Sequence, residues 1–175
     1  MISPFSWHST PAEERRALPC DSLLPAATVR AHRAVTVAAP RAIVFRWLCQ
    51  LRTAPYSYDL LDNLGRRSPR TLTPGLDELE RGQRFMGSFT LDSFERDRHL
   101  TLAADRVAVT YAVDDTIDEQ GRTATRLLVR VSARVPAARV LGPVLALGDL
   151  LMMRKQLLVL KGLAERTPRP ASPWA

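Results

Sequence analysis

The apolar and polar positions of this chain change period several times, and each change marks an element. Residues 1–28 keep no sustained period and carry Pro4, Pro11, Pro19 and Pro25, so they are expected to form an arm that wraps the surface. A short helix is expected within it from Pro11 to Ala17. Thr10 can cap it, Pro11 suits its first turn, and Glu13 and Glu14 lie at the positive end of its dipole. Val29, Val35 and Val37 mark a first strand within 28–38 that stops before Pro40. Ile43, Val44, Trp47, Leu48 and Leu51 then recur at the spacing of one buried helical face, closed by Pro55. Ser57 can cap a second short helix over 58–64, with Gly65 as the left-handed residue at its end.

The period then becomes two. Phe85, Gly87, Phe89 and Leu91 alternate with Met86, Ser88, Thr90 and Asp92, which reads as a strand with two unlike faces. Further strands are expected over 94–103, 107–114 and 125–135, joined antiparallel. In the third of these four, Val107, Val109, Tyr111 and Val113 share a face. In the last, Leu127, Val129, Val131, Ala133 and Val135 share one face while Arg126, Arg130, Ser132 and Arg134 share the other, read as facing water. Gln120 and Gly121 mark the hairpin turn before it, and Pro136 ends the sheet. Over 145–164 the residues Leu150, Met153, Leu157, Leu160 and Leu163 or Ala164 recur every three to four positions, the pattern of a long helix that needs a large partner. The concave face of the sheet is that partner. The reading is therefore α+β: a curved antiparallel sheet around a long C-terminal helix, with two short helices after the first strand. One domain spans 29–166, between the arm and a frayed tail over 167–175 with Pro168, Pro170 and Pro173.

Composition narrows the function classes. With 46% hydrophobic and 25% charged residues the chain of 175 residues has enough apolar material for one core. The formal charge of +7 comes from 25 basic residues, of which only Lys155 and Lys161 are lysines. They are dispersed, with no basic stripe interleaved with aromatics, so nucleic-acid binding is not expected. Cys20 and Cys49 are too few for a disulfide framework and point to a reducing, cytoplasmic setting. Residues 1–24 lack the apolar run of a signal peptide. The apolar stretch 140–153 is broken by Gly142, Pro143, Gly148 and Asp149 and is too short to cross a bilayer, so no integral membrane association is expected. No histidine spacing suits a metal, with His99 among Arg96, Asp97 and Arg98. No nucleophile elbow, P-loop or dinucleotide fingerprint appears either, and no cofactor is expected.

Two stretches carry a resemblance. Phe45-Arg46-Trp47-Leu48-Cys49-Gln50-Leu51, with Ala54-Pro55-Tyr56-Ser57-Tyr58-Asp59 and Asp62-Asn63-Leu64-Gly65-Arg66-Arg67-Ser68-Pro69-Arg70, resembles an actinobacterial-type branch of the START-like, SRPBCC or helix-grip superfamily. Gly148-Asp149-Leu150-Leu151-Met152-Met153-Arg154-Lys155-Gln156-Leu157 is similar to the last helix of that branch. The resemblance spans roughly 33–166. The superfamily includes polyketide cyclases and lipid-transfer domains, and it implies a cavity between the long helix and the sheet. A fold of this kind implies a pocket more firmly than it implies chemistry.

The candidate site residues are Trp47, Tyr56, Tyr58, Asp59, Asn63, Arg66, Phe89, Tyr111, Asp149 and Met153. The segment from Tyr56 to Arg70 concentrates polar groups where that superfamily's pocket mouth is expected. Asp59 and Asn63 fall on one helical face, Tyr58 and Asp62 on another. The competing reading makes Asp62 and Arg66 a surface ion pair and leaves Asp59 near a helix start. Tyr56 and Tyr58 are expected on the pocket wall near Trp47. Asp149 in an apolar helix must face water, serve the cavity or pair with an arginine such as Arg66 or Arg67, and pairing is favoured. Met152 and Met153 read as core filler or as a soft cavity wall.

Three functions compete. The first is a carrier, sensor or sequestering protein for a small hydrophobic or aromatic molecule, monomeric or homodimeric. The second is a cyclase- or dehydratase-like enzyme with Tyr56, Tyr58, Asp59 or Asp149 as proton donor or acceptor. The third is a membrane-surface role for the Leu-rich final helix with Arg154, Lys155 and Lys161.

Overall fold

Alternating valines and leucines do build a sheet, with one more strand at each end than the sequence pattern marks. The computed structural model describes residues 4–56 and 68–168. Its strands are β1 (Ser6–Trp7), β2 (Val29–Val37), β3 (Arg84–Phe85), β4 (Phe89–Glu95), β5 (His99–Ala104), β6 (Val107–Ile117) and β7 (Thr123–Ala133). The helices are α1 (Pro11–Arg15), α2 (Pro19–Leu23), α3 (Arg41–Cys49), which runs into a 3-10 turn over Gln50–Arg52, and α4 (Ala138–Arg166). The helix expected over 58–64 lies outside the described residues, as do Tyr58, Asp59, Asn63 and Arg66. The seven strands run in the order β1-β2-β7-β6-β5-β4-β3. Every neighbouring pair is antiparallel except β1 with β2, which are parallel. This is the α+β architecture read from the sequence, a curved open sheet holding a long C-terminal helix.

Two of the expected strands are divided differently. The alternation from Phe85 to Asp92 runs straight through a hairpin: Met86 and Gly87 have φ of 45° and 75°, and Phe85 pairs back onto Phe89. Glycine accepts that conformation freely, and Met86 and Ser88 on either side complete the three-residue turn. The strand expected over 94–103 likewise breaks at Asp97, φ 58°, between β4 and β5. The hairpin at Gly121 falls where it was read, with φ 73°.

Odd-numbered residues of β2, β6 and β7 point to the concave face. There Val37, Leu91, Leu100, Leu102, Val109, Val113, Leu127 and Val129 meet Trp47, Leu48 and Leu51 of the α3 segment and Leu157, Leu160 and Leu163 of α4 in one core. The helix begins seven residues earlier than the proline-free run, so its first turns also lie over the sheet. A Cβ at Gly142 would sit 3.2 Å from Val29 Cγ2, so helix and strand come close there. Among the described residues no helix is long and apolar enough to cross a membrane.

The convex face is not open to water as β7 alone implied. The arm folds over it, and Leu18, Cys20 and Leu24 pack on Ala34, Ala108, Ala112 and Leu128. Arg130 and Ser132 are buried beneath them, with Arg130 only 3% exposed. Its guanidinium meets the Asp21 carboxylate and donates to the carbonyls of Glu13 (3.1 Å) and Glu14 (2.8 Å). Arg130 Nε donates to His32 Nδ1 at 3.3 Å, an acceptor because burial and the nearby Arg130 hold His32 below its usual range. Arg126 pairs with Glu13, and the capping box between Thr10 and Glu13 closes α1. Alternation distinguishes two faces of a strand, but not water from a covering layer.

Arg130→Met is expected to cost about 3 kcal/mol or more, because Asp21 and two carbonyls lose a buried partner; urea unfolding gives the cost, and hydrogen exchange over 4–28 should rise in the native state. Burial pushes Glu13 up, but hydrogen bonds from Arg126 and Thr10 outweigh it and hold Glu13 below 4.5. A depressed folded-state pKa adds stability above the unfolded value that is lost as pH falls through the folded one. Exchange in the arm should therefore rise on acidification below about 4.5, less steeply in Glu13→Gln.

Candidate functional site

The four residues Asp149, Met152, Met153 and Gln156 fall at i, i+3, i+4 and i+7, one stripe along α4. They face a cavity of about 350 Å³ under the helix. The opposite wall is the sheet, with Phe89 of β4, Val107, Val109 and Tyr111 of β6 and Val131 of β7, while Pro55, Met86 and Ser88 close one side. Most of that wall is apolar. Its volume lies toward the lower end of the roughly 300–1,000 Å³ range of ligand pockets, which suits a compact molecule rather than a long chain.

Two polar crossings tie the helix to its surroundings at this cavity. In the first, the Tyr111 hydroxyl donates to Gln156 Oε1 at 2.8 Å, and Gln156 Nε2 donates to the Pro55 carbonyl at 2.6 Å. Tyr111 and Gln156 are 0% and 3% exposed. Burial raises the Tyr111 pKa and the nearby Asp149 adds to it, against the hydrogen bond to Gln156, so the phenol stays protonated and serves as a donor. In the second, Asp149 Oδ2 accepts from Arg33 Nη2 at 2.9 Å. The same guanidinium donates to the carbonyls of His32 (2.9 Å), Pro4 (2.8 Å) and Ala146 (3.3 Å). Arg33 is wholly buried on the concave side of β2, and the Asp149 side chain keeps 26% exposure. Burial raises the Asp149 pKa and lowers that of Arg33, and their attraction opposes each shift. Desolvation thus outweighs pairing on both partners.

Of the sequence candidates, Phe89, Tyr111, Asp149 and Met153 come together on this wall. Asp149 is paired, as favoured, and its partner is Arg33 of β2. Trp47 and Tyr56 stand apart. They are 2% and 1% exposed, edge to face with centroids 6.1 Å apart, and Trp47 Nε1 donates to Thr167 Oγ1 at 2.8 Å. Trp47 borders a different hollow, with Leu72, Leu163 and Arg166. Tyr58, Asp59, Asn63 and Arg66 lie outside the described residues. Sequence reading missed Arg33 and Gln156. A charge alternating with Val35 and Val37 on the apolar face of a strand was the signal for Arg33, and Gln156 one turn after Met153 was the signal for the other. Among the described residues no cluster of His, Cys, Asp and Glu suits a metal.

No protein-family model matches the chain, and no curated protein matches it in sequence. Among solved structures it is similar to an uncharacterized protein from Rhizobium leguminosarum, at 16% identity over 80% of this chain and 100% of that one, with a TM-score of 0.37. A protein of unknown function from Enterococcus faecalis is similar at 10% identity over 85% of this chain and 96% of the other, with a TM-score of 0.34.

If desolvation outweighs attraction in the buried pair, the pair is replaceable but neither member is removable alone. Arg33→Met and Asp149→Leu are each expected to cost about 3–5 kcal/mol, and the double variant to lie near the parent or above it. Denaturant unfolding of all four proteins closes that cycle, and additive single-variant costs would contradict it.

Proposed function

We propose that the chain binds a small hydrophobic or aromatic molecule in the cavity under α4, as a carrier, sensor or sequestering protein of the START-like type. The observation that carries this reading is the cavity itself, about 350 Å³ with a wall largely of methionine, valine and phenylalanine side chains. An apolar molecule entering such a space leaves water and gains contacts that the empty wall lacks. Met86, Met152 and Met153 are flexible and polarisable, which suits a wall that adapts to an irregular ligand. The resemblance of the 45–70 and 148–157 stretches to the SRPBCC branch supports the same reading, and two free, buried cysteines suit a cytoplasmic protein.

Of the two acid/base candidates among the described residues, Tyr56 and Asp149, the enzymatic alternative retains one at the cavity. Asp149 is on the wall with its pKa raised by burial, but Tyr56 is packed against Trp47 away from it. Tyr111 is held protonated and bonded to Gln156. Acid/base catalysis needs a titrating group within reach of the reacting proton. Among the described residues, a carboxylate already bound to an arginine is a poorer basis for catalysis than for positioning a ligand.

Native mass spectrometry of the purified protein should show a bound small molecule, and compact aromatic probes such as naphthalene derivatives should raise the melting temperature. A probe at a hundred times its Kd would add about 2.7 kcal/mol. Val131→Trp fills the cavity from the sheet side and is expected to abolish that shift while unfolding cooperatively. Equal stabilisation of parent and Val131→Trp would place binding elsewhere.

A further inference from the structure

The hydrogen-bonding groups on the cavity wall are not equally available. Tyr111 gives its proton to Gln156, and the Gln156 amide gives its own to Pro55 and reaches Met86 Sδ at 3.5 Å. Those two side chains bond each other and the protein. Ser88 lies in an exposed position at the rim, where water competes for it. Asp149 differs. Its Oδ2 is held by Arg33, no hydrogen bond from the described residues reaches Oδ1, and the side chain, on the cavity wall, keeps 26% exposure. A carboxylate oxygen has lone pairs for more than one donor, so Oδ1 can accept from a ligand that displaces water from it.

The charge of any donor that reaches Oδ1 also matters. Arg33 is wholly buried and already neutralises Asp149. A ligand ammonium would leave one uncompensated positive charge in the cavity, and a ligand carboxylate would confront Asp149 with no cationic side chain among the described lining residues to receive it. A neutral O–H adds no charge and supplies what Oδ1 lacks.

Resting on the reading of the cavity as a ligand site, we propose that its ligand is a compact apolar molecule bearing a neutral hydroxyl, phenolic or alcoholic, which donates to Asp149 Oδ1. The Arg33 guanidinium acts from behind, holding the carboxylate in place and opposing the rise that burial gives its pKa. The hydroxyl fixes the ligand's orientation against one turn of α4, and the methionine and valine wall accommodates its body.

Binding of five naphthalene probes by calorimetry or competitive fluorescence tests this: naphthalene, 2-naphthol, 2-methoxynaphthalene, 2-naphthoate and 2-(aminomethyl)naphthalene. In the unmodified protein 2-naphthol should bind about tenfold or more tighter than naphthalene and than the methyl ether, the factor expected of a hydrogen bond to a charged acceptor. The naphthoate and the ammonium should bind more weakly than naphthol. In the Arg33→Met/Asp149→Leu double variant the preference for naphthol over naphthalene should vanish, while naphthalene still binds. Equal binding of naphthol and naphthalene by the unmodified protein would overturn the hydroxyl proposal and leave the cavity reading standing. The ammonium binding tightest would also overturn it. If no probe binds, the cavity reading falls and this one with it. Should the double variant not fold, the five probes on the unmodified protein still decide.

Discussion

A single buried guanidinium organises this molecule. Arg33 has no exposed surface and sits on the apolar side of β2, so its charge must be matched within the protein. Its partners come from three parts of the chain: Pro4 in the arm, Ala146 and Asp149 in α4, and its own strand neighbour His32. Meeting those demands fixes the helix over β2 and brings the start of the arm to the sheet edge, where β1 adds in parallel. Arg154, five residues after Asp149 on α4, reaches over the Trp7 ring at 5.9 Å and joins the same two parts again. The cavity lies beside this junction. Asp149 and Gln156 stand two turns apart on α4, each committed to a polar partner, and the methionines between them face open space.

The arm extends the same logic to the other side of the sheet. A seven-stranded sheet with helices on one face alone would leave the even-numbered residues of β6 and β7 in water. Here α2 covers Ala108, Ala112 and Leu128, and the small side chains of the two alanines allow the close approach. The two sides are fastened differently. The concave side is held mostly by a large apolar core, the convex side by a small apolar cluster and a set of ion pairs from Arg126 and Arg130 to Glu13 and Asp21. Ionic and hydrogen-bonded fastenings respond to pH and salt in a way that apolar packing does not.

How much of this was legible in the sequence depended on whether the signal was local. The faces of β6 and β7 follow from alternation within each strand, and Tyr111 was placed inward by the valines around it. The apolar stripe of α4 was equally plain, and with it Met153. What failed was each inference that needed a partner far along the chain. Arg130 was read as wetted because its cover, α2, lies more than a hundred residues away. Asp149 was seen to need a cation, but its partner is 116 residues distant on a strand read only for its valines. The Met86-Gly87 turn escaped for a different reason. A tight hairpin keeps the alternation of the strands it joins, so periodicity alone cannot see it, and the glycine was the only mark.

The division of labour on the cavity wall bears on what this fold can select. Methionine side chains rotate among several conformers and tolerate changes of ligand shape, so the apolar wall discriminates weakly. One methylene more or less in such a pocket changes affinity only modestly, whereas an unmet buried polar group changes it far more. Any discrimination by the proposed site would then rest on polar groups, and among the described residues Tyr111 and Gln156 are bonded to each other. That leaves, among the described residues, the Asp149 carboxylate, whose orientation is set by Arg33, and Arg33 is in turn held by the arm and the helix. A change in how Pro4 or Ala146 meets that guanidinium would reach the cavity through Asp149 without altering any residue on its wall.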